Sequence, residues 1–252
     1  NPAEWTDIVG RNHGAYRASV DPHDTPVAAL CVTSRPHLLG RLFDSISCQQ
    51  HPVSELVLVT NAAAYDELDI EGLVAVRADH LPPVKVLRRS PAVSLGACLN
   101  DAMDSTDAQF VAKFDDDDLY GPLYLADSMR AHTYAGAGVV GKHSYYAFLV
   151  GENRTVLRFP AHEFAYSATL AGGTLVIDRL RTGSLRFADV SIGEDRQFLQ
   201  ACLRRGVATF SADRFGFVQT RSGDNTWNID VEAFRVGAVD VGPGMAPEAL
   251  ER

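Results

Sequence analysis

Between residues 26 and 120, short apolar runs alternate with segments whose apolar residues recur at helical spacing, and few folds accommodate that rhythm. Val27–Thr33 is a continuous apolar run bounded by a turn, the pattern of a strand buried on both faces. Ser34 follows where a helix cap belongs, ahead of one apolar face made by Leu38, Leu39, Leu42, Phe43 and Ile46. Pro52 ends that helix. Glu55–Val59, Val84–Leu87 and Phe110–Phe114 read as three further strands, with a weak helical piece around Tyr65–Leu68. Leu95–Met103 is a helix carrying Leu95, Leu99 and Met103 at four-residue spacing. Strands alternating with helices predict right-handed βαβ units on a mostly parallel sheet, an α/β fold.

After residue 120 the pattern becomes mixed. Pro122 opens a helix to about His132, and strand-like runs follow at Val139–Gly141, Tyr145–Val150, Thr174–Ile177 and Phe215–Val218. A helix over Glu194–Arg205 stops at Gly206. The expected organisation is a sheet-forming half over 26–120, a second half over 121–236 and a loosely attached Gly/Pro-containing tail over 237–252. Residues 1–25 read as an extension or linker, with Trp5, Ile8, Val9 and Tyr16 as contacts of a short docking helix. The chain begins at Asn1, so it is expected to be a trimmed chain or one module of a longer polypeptide.

The net charge of −9 lacks the cationic surface that phosphate backbones require, so nucleic acid is not expected as a partner. Cys31, Cys48, Cys98 and Cys202 form no CxxC pair and read as core residues in a reducing compartment. With no apolar stretch long enough to span a bilayer, and no signal-peptide pattern, a cytoplasmic location is expected.

Chemistry concentrates in Asp115-Asp116-Asp117-Asp118, set between a buried strand and the turn Leu119-Tyr120-Gly121-Pro122. Four adjacent carboxylates repel one another, and a divalent cation relieves the repulsion; carboxylate oxygens suit Mg²⁺ or Mn²⁺. In open α/β sheets, ligands bind beyond the carboxyl ends of strands, where strand order reverses. If the first and fourth strands flank that point, Thr33-Ser34-Arg35 and Asp115–Asp118 meet over one crevice, with Asn61 alongside. A nucleoside diphosphate with its metal fits such a crevice.

The ordered series Thr33-Ser34-Arg35-Pro36, Glu55-Leu56-Val57-Leu58-Val59, Phe114-Asp115-Asp116-Asp117-Asp118 and Glu194-Asp195 resembles glycosyltransferase family 2 over roughly residues 26–220. The resemblance implies the GT-A fold: a Rossmann-like, nucleotide-sugar-binding half joined to a mixed acceptor-binding half. It also implies an inverting transfer from a nucleotide sugar, UDP-linked by preference, to a glycan or small-molecule hydroxyl. Asp115 and Asp117 match the family's DxD motif, with Asp117 as metal ligand and Asp115 or Asp116 facing the ribose. Thr33 and Arg35 match positions lining the nucleotide, Asn100 matches a family Asn, and Asp195 matches the general base. Two departures stand out. Thr60 and Asn61 replace an Asp pair that reads the base, and Leu99 replaces an Arg, leaving Arg88 or Arg89 to supply phosphate charge.

A base that takes the hydroxyl proton and a cation on the leaving diphosphate are what direct displacement needs. Glu194 also fits a capping box in Ser191-Ile192-Gly193-Glu194, which would put Asp195 merely in a first helical turn. Gly136–Gly141 satisfies GxGxxG, yet it leads into a strand and reads as a turn. Trp227 fits either core packing or sugar stacking. Two other functions compete: a sugar-phosphate nucleotidyltransferase, which wants a Gly-rich basic loop after the first strand, and a nucleotide- or glycan-binding module without turnover.

Overall fold

The computed structural model describes residues 2–222 and 230–251; Trp227 lies outside the described residues, as do the side chains of Trp5 and Ile8. Four parallel strands, β1 (Val27–Thr33), β2 (Val53–Thr60), β3 (Val84–Arg88) and β4 (Phe110–Lys113), lie in the order β3-β2-β1-β4. The second half adds β5 (Leu119–Tyr120), β6 (Val139–Gly141), β7 (Tyr145–Leu149), β8 (Arg154–Arg158), β9 (Ala165–Tyr166), β10 (Val176–Asp178), β11 (Thr209–Ser211), β12 (Phe217–Arg221) and β13 (Ala238–Pro243). Strands β10, β6, β11 and β9 continue the first sheet beyond β4, with β10 antiparallel to both of its neighbours. A second sheet runs β13-β8-β7-β12-β5.

Helices cover both faces of the first sheet, which is why its strands read as unbroken apolar runs. The helices are α1 (Pro2–Ser19), α2 (Leu39–Ser47), α3 (Ile70–Ala75), α4 (Leu95–Asp104), α5 (Tyr124–Ala135), α6 (Arg179–Thr182), α7 (Glu194–Arg204), α8 (Val231–Arg235) and α9 (Glu248–Glu251). Alternate residues of β1 divide between the faces. Val27, Ala29 and Cys31 pack with Leu42, Phe43 and Ile46 of α2 and with Leu125 and Met129 of α5. Ala28 and Leu30 pack with Cys98, Leu99 and Met103 of α4 and with Phe198, Leu199 and Cys202 of α7. This is the expected α/β arrangement.

Several details differ from expectation. Ser34 is exposed and caps nothing: a 3-10 turn at Pro36–Leu38 precedes α2, and Leu38 holds the cap position without a side-chain bond. The Thr33 hydroxyl accepts the Arg35 N–H instead (3.0 Å). Cys31, Cys98 and Cys202 are buried as free thiols, but Cys48, at the end of α2, is exposed. The N-terminal segment is an 18-residue helix, longer than a short docking piece. Its Val9 joins Tyr146, Leu157, Phe215 and Val218, and its Arg17 holds Asp127 of α5. The tail is not loose: β13 pairs antiparallel with β8, and Ala249 of α9 is fully buried. Gly136, left-handed at φ 59°, ends α5, and the Gly136–Gly141 stretch leads into β6 as a turn should. Among the described residues no helix is long and apolar enough to cross a membrane.

Candidate active site

The sheet reverses strand order at β1: β2 and β3 extend to one side, β4 to the other. Thr33 and Lys113 therefore end neighbouring parallel strands at the same edge, and the Asn61 N–H, just past β2, donates to the Thr33 carbonyl (3.1 Å). A cavity of about 720 Å³ opens there. Arg35, Asn61, Asp115, Asp116, Asp117 and Asp195 all line it.

The carboxylates are individually fixed. Thr33, buried behind the cavity wall, donates to Asp116 Oδ2 (2.5 Å) and shares a hydrogen bond with the Tyr65 hydroxyl (2.9 Å). Arg35 ion-pairs with Asp116 through Nη2 and with Asp117 Oδ2 through Nη1 (2.8 Å). Lys113 Nζ donates to Asp115 Oδ1 (2.6 Å). Asp118 is buried and accepts the Thr220 N–H (2.9 Å), tying the loop to β12. The Asp115 N–H donates to the Tyr120 hydroxyl, which donates in turn to the Gly173 carbonyl (2.9 and 2.7 Å). Gly173 is where the set converges: a Cβ there would stand 2.8 Å from Asp115 Oδ2 and 3.0 Å from Asp118 Oδ2.

Burial and charge set the protonation pattern. Burial opposes the Lys113 charge, but Asp115 first, then Glu194 and Asp195, outweigh it and raise its pKa. Burial pushes Asp118 well up the carboxylate scale. Burial also raises Asp116, which the Arg35 guanidinium and Thr33 hydroxyl pull back. Glu194, 5% exposed, is pushed up to about 7 by burial, against the pull of Lys113.

Sequence reasoning missed Glu194 as a site residue. The capping box does not form: Gly193 holds the N-cap of α7 at φ 78° without a side-chain bond, and Ser191 Oγ instead accepts the Leu95 N–H (3.4 Å). Glu194 is left lining the cavity. Lys113 was also missed, although a lone lysine ending an apolar strand beside an acidic run is a usable signal. Arg158 and Arg221 line the cavity too, and nothing in the local sequence marks them, because their position depends on the pairing of the second sheet. Asn100 lies away from the cavity lining. Its side-chain amide accepts the Phe187 N–H and donates to the Phe187 carbonyl (2.9 Å each), bracing α4 against the segment that leads to α7. Arg88 reaches Glu71 and the Tyr65 carbonyl, and Arg89 pairs with Asp101; neither lines the cavity.

Asp115 and Asp117 fit a hard divalent cation as a partial ligand set: both are oxygen donors at the cavity surface, and substrate phosphates normally complete such a sphere. Their neutralisation by Lys113 and Arg35 is the state a cation would replace. Among the described residues, the trio with ligand atoms gathered within 4.8 Å of one another is His13, Asp127 and Asp213. That buried trio already has cations: Arg17 and Arg130 hold Asp127, and Lys142 holds Asp213. It anchors α1 rather than offering open carboxylates.

No protein-family model matches the sequence, and no curated protein matches it. The fold does match solved structures. TarS 1–349 of S. aureus, in complex with UDP-GlcNAc, superposes with a TM-score of 0.60 at 16% identity, covering 84% of this chain and 64% of that one. The mannosyltransferase PcManGT from Pyrobaculum calidifontis, in complex with GDP-Man and Mn²⁺, gives 0.62 at 14% identity over 93% of this chain and 71% of that one. The chain spans 37% of a longer TarS structure (16% identity, TM-score 0.57, 78% of this chain). The architecture is the GT-A-type fold of nucleotide-sugar glycosyltransferases.

Proposed function

We propose that this protein is an inverting, metal-dependent glycosyltransferase of the family 2 type, moving a sugar from a UDP-sugar to a hydroxyl acceptor. The observation that carries this reading is the adjacency of β1 and β4, which brings Arg35 beside Asp115–Asp118 in a cavity that Asp195, on α7, also lines. Residues 26–120 form the donor half in this reading and residues 121–236 the acceptor half, with 1–25 and 237–252 as flanking segments. Asn61 and Arg35 border the nucleotide, Asp115 or Asp116 faces the ribose, and Thr33 acts by holding Asp116. Asn100 keeps the acceptor half in register with the donor half. The free thiols fit a reducing compartment such as the cytoplasm.

A Mn²⁺ or Mg²⁺ ion on Asp115 and Asp117 would offset the charge of the leaving diphosphate. The chain's own groups do the rest. Asp195 takes the acceptor proton as the hydroxyl attacks, and a single base with no covalent relay gives inversion. Lys113, at the end of β4, places a positive charge within electrostatic range of Asp195.

Thermal melting with UDP, GDP and other nucleoside diphosphates, each with and without Mn²⁺ or Mg²⁺, tests the proposal. A metal-dependent rise with UDP, lost in Asp117→Ala, is expected. No shift with any nucleotide and either metal would overturn it.

A further inference from the structure

We infer that the acceptor carries an oxyanion, a carboxylate or a phosphate, and that Arg158 receives it; the inference rests on the transferase reading above. Arg158 ends β8 and lines the cavity while only 6% exposed. Its Nε and Nη1 have no hydrogen-bond partner among the described residues. A guanidinium stays charged in a protein, and buried donors left unpaired are costly, so this arrangement calls for an acceptor group from outside. Aromatic rings surround the guanidinium: Cζ lies 3.9 Å from the Phe234 ring centroid and 4.5 Å from that of Phe159.

The other cations of the cavity differ. Arg35 is held by Asp116 and Asp117, and Lys113 by Asp115. No carboxylate among the described residues plays that part for Arg158, whose pKa burial lowers against the opposing pull of Tyr145. Arg221 lines the same cavity, and Tyr145, paired with Arg158 across β7 and β8, feels the charges of Asp118 and Asp195. The unpaired cation thus stands on the second sheet, lining the same cavity as Asp195. The donor diphosphate in the reading above lies at Arg35 and Asp115–Asp117, which follow β1 and β4 of the first sheet. Phe159, Ala161 and Phe164 all adopt positive φ (45°, 69° and 53°), a strained stretch that sets Phe159 beside the guanidinium.

Calorimetric titration of the full chain with glycerol, glycerate and glycerol 3-phosphate, at constant ionic strength and with and without saturating UDP and Mg²⁺, tests the site. The three probes share a polyol and differ in the anion. At least one anion is expected to bind about tenfold or more tightly than glycerol, a ratio in keeping with a hydrogen bond to a charged group. Preference for glycerate names a carboxylate acceptor, and preference for glycerol 3-phosphate a phosphate. Arg158→Gln should erase the advantage and Arg158→Lys retain part of it, with melting no lower than wild type, since an unpaired buried charge has been removed. Equal binding of all three probes, or an advantage that survives Arg158→Gln, overturns the inference. So does an advantage abolished by UDP, which would put the anion in the diphosphate's place. If UDP gives no heat while the anion preference persists, the transferase reading falls and the oxyanion site stands.

Discussion

Gly172 stands against the carboxylate of Asp195: a Cβ at residue 172 would overlap Asp195 Oδ2. Asp195 Oδ1 accepts the Arg196 N–H, so the two oxygens are held between a helix's first turn and a glycine loop. The atom in the way is the tip of a side chain, which can rotate aside. Gly172→Ala is therefore expected to leave the melting temperature within a few degrees of wild type while turning Asp195 out of position. Loss of a general base costs about 10²–10⁴ in rate. Transfer kinetics beside a melting curve check this, and undiminished turnover would remove Asp195 from the base's role.

Glu194 gives the metal-free protein a pH dependence. Its folded pKa of about 7 exceeds the ordinary value of 4.5, so the folded state binds the extra proton between those values. Stability then falls as pH rises through that window and is lowest, for this group, above about 7. Glu194→Gln should flatten that fall and be about 3 kcal/mol more stable than wild type at pH 8. Urea titrations in EDTA at pH 5 and pH 8 measure it, and identical pH slopes for the two proteins would refute the assignment.

Asn100 can be separated from the nucleotide by experiment. Asn100→Ala removes both bonds to the Phe187 backbone and leaves a peptide donor and acceptor unmatched. A loss of about 1–3 kcal/mol is expected. The metal-dependent nucleotide shift should persist, because Asn100 is not in the cavity lining. A variant of unchanged stability that no longer responds to nucleotide would instead make Asn100 a direct ligand.

The half over residues 26–120 was legible because burial on both faces writes itself into a strand: the buried lengths of β1 and β2 are apolar up to a final Thr, and β4 is apolar up to Lys113. The acidic run was legible for the converse reason, since charge beside such a strand needs a cause. What escaped was set by geometry beyond a local window. Glu194 follows a Ser-x-x-Glu pattern, and only the left-handed Gly193 turns it from cap to cavity. β13 carries no fully buried residue and pairs with β8, a strand far away in sequence, so neither composition nor spacing announces it. Arg158 is one arginine among many until Phe159 and Phe234 enclose it.

Two helical glycines should respond to alanine with opposite signs. Gly96, in the first turn of α4, donates its N–H to the Val190 carbonyl (3.0 Å), and a Cβ there would overlap the Ala188 carbonyl oxygen. Ser94 clamps the same segment through Asp189 Oδ1 (2.6 Å). The obstacle is backbone, so Gly96→Ala must separate α4 from the stretch of chain that leads into Glu194 and Asp195. Such overpacking costs about 1–3 kcal/mol, and lower turnover should accompany it as α7 shifts. Gly40, in α2, has open space where a methyl group would go, with nothing within 4 Å and no positive φ. Gly40→Ala should stabilise by about 0.5–1 kcal/mol, the helical cost of glycine relative to alanine, without altering activity. Chemical denaturation of both variants decides the matter: a stable, active Gly96→Ala protein would mean that the α4–α7 contact does not hold the base in place.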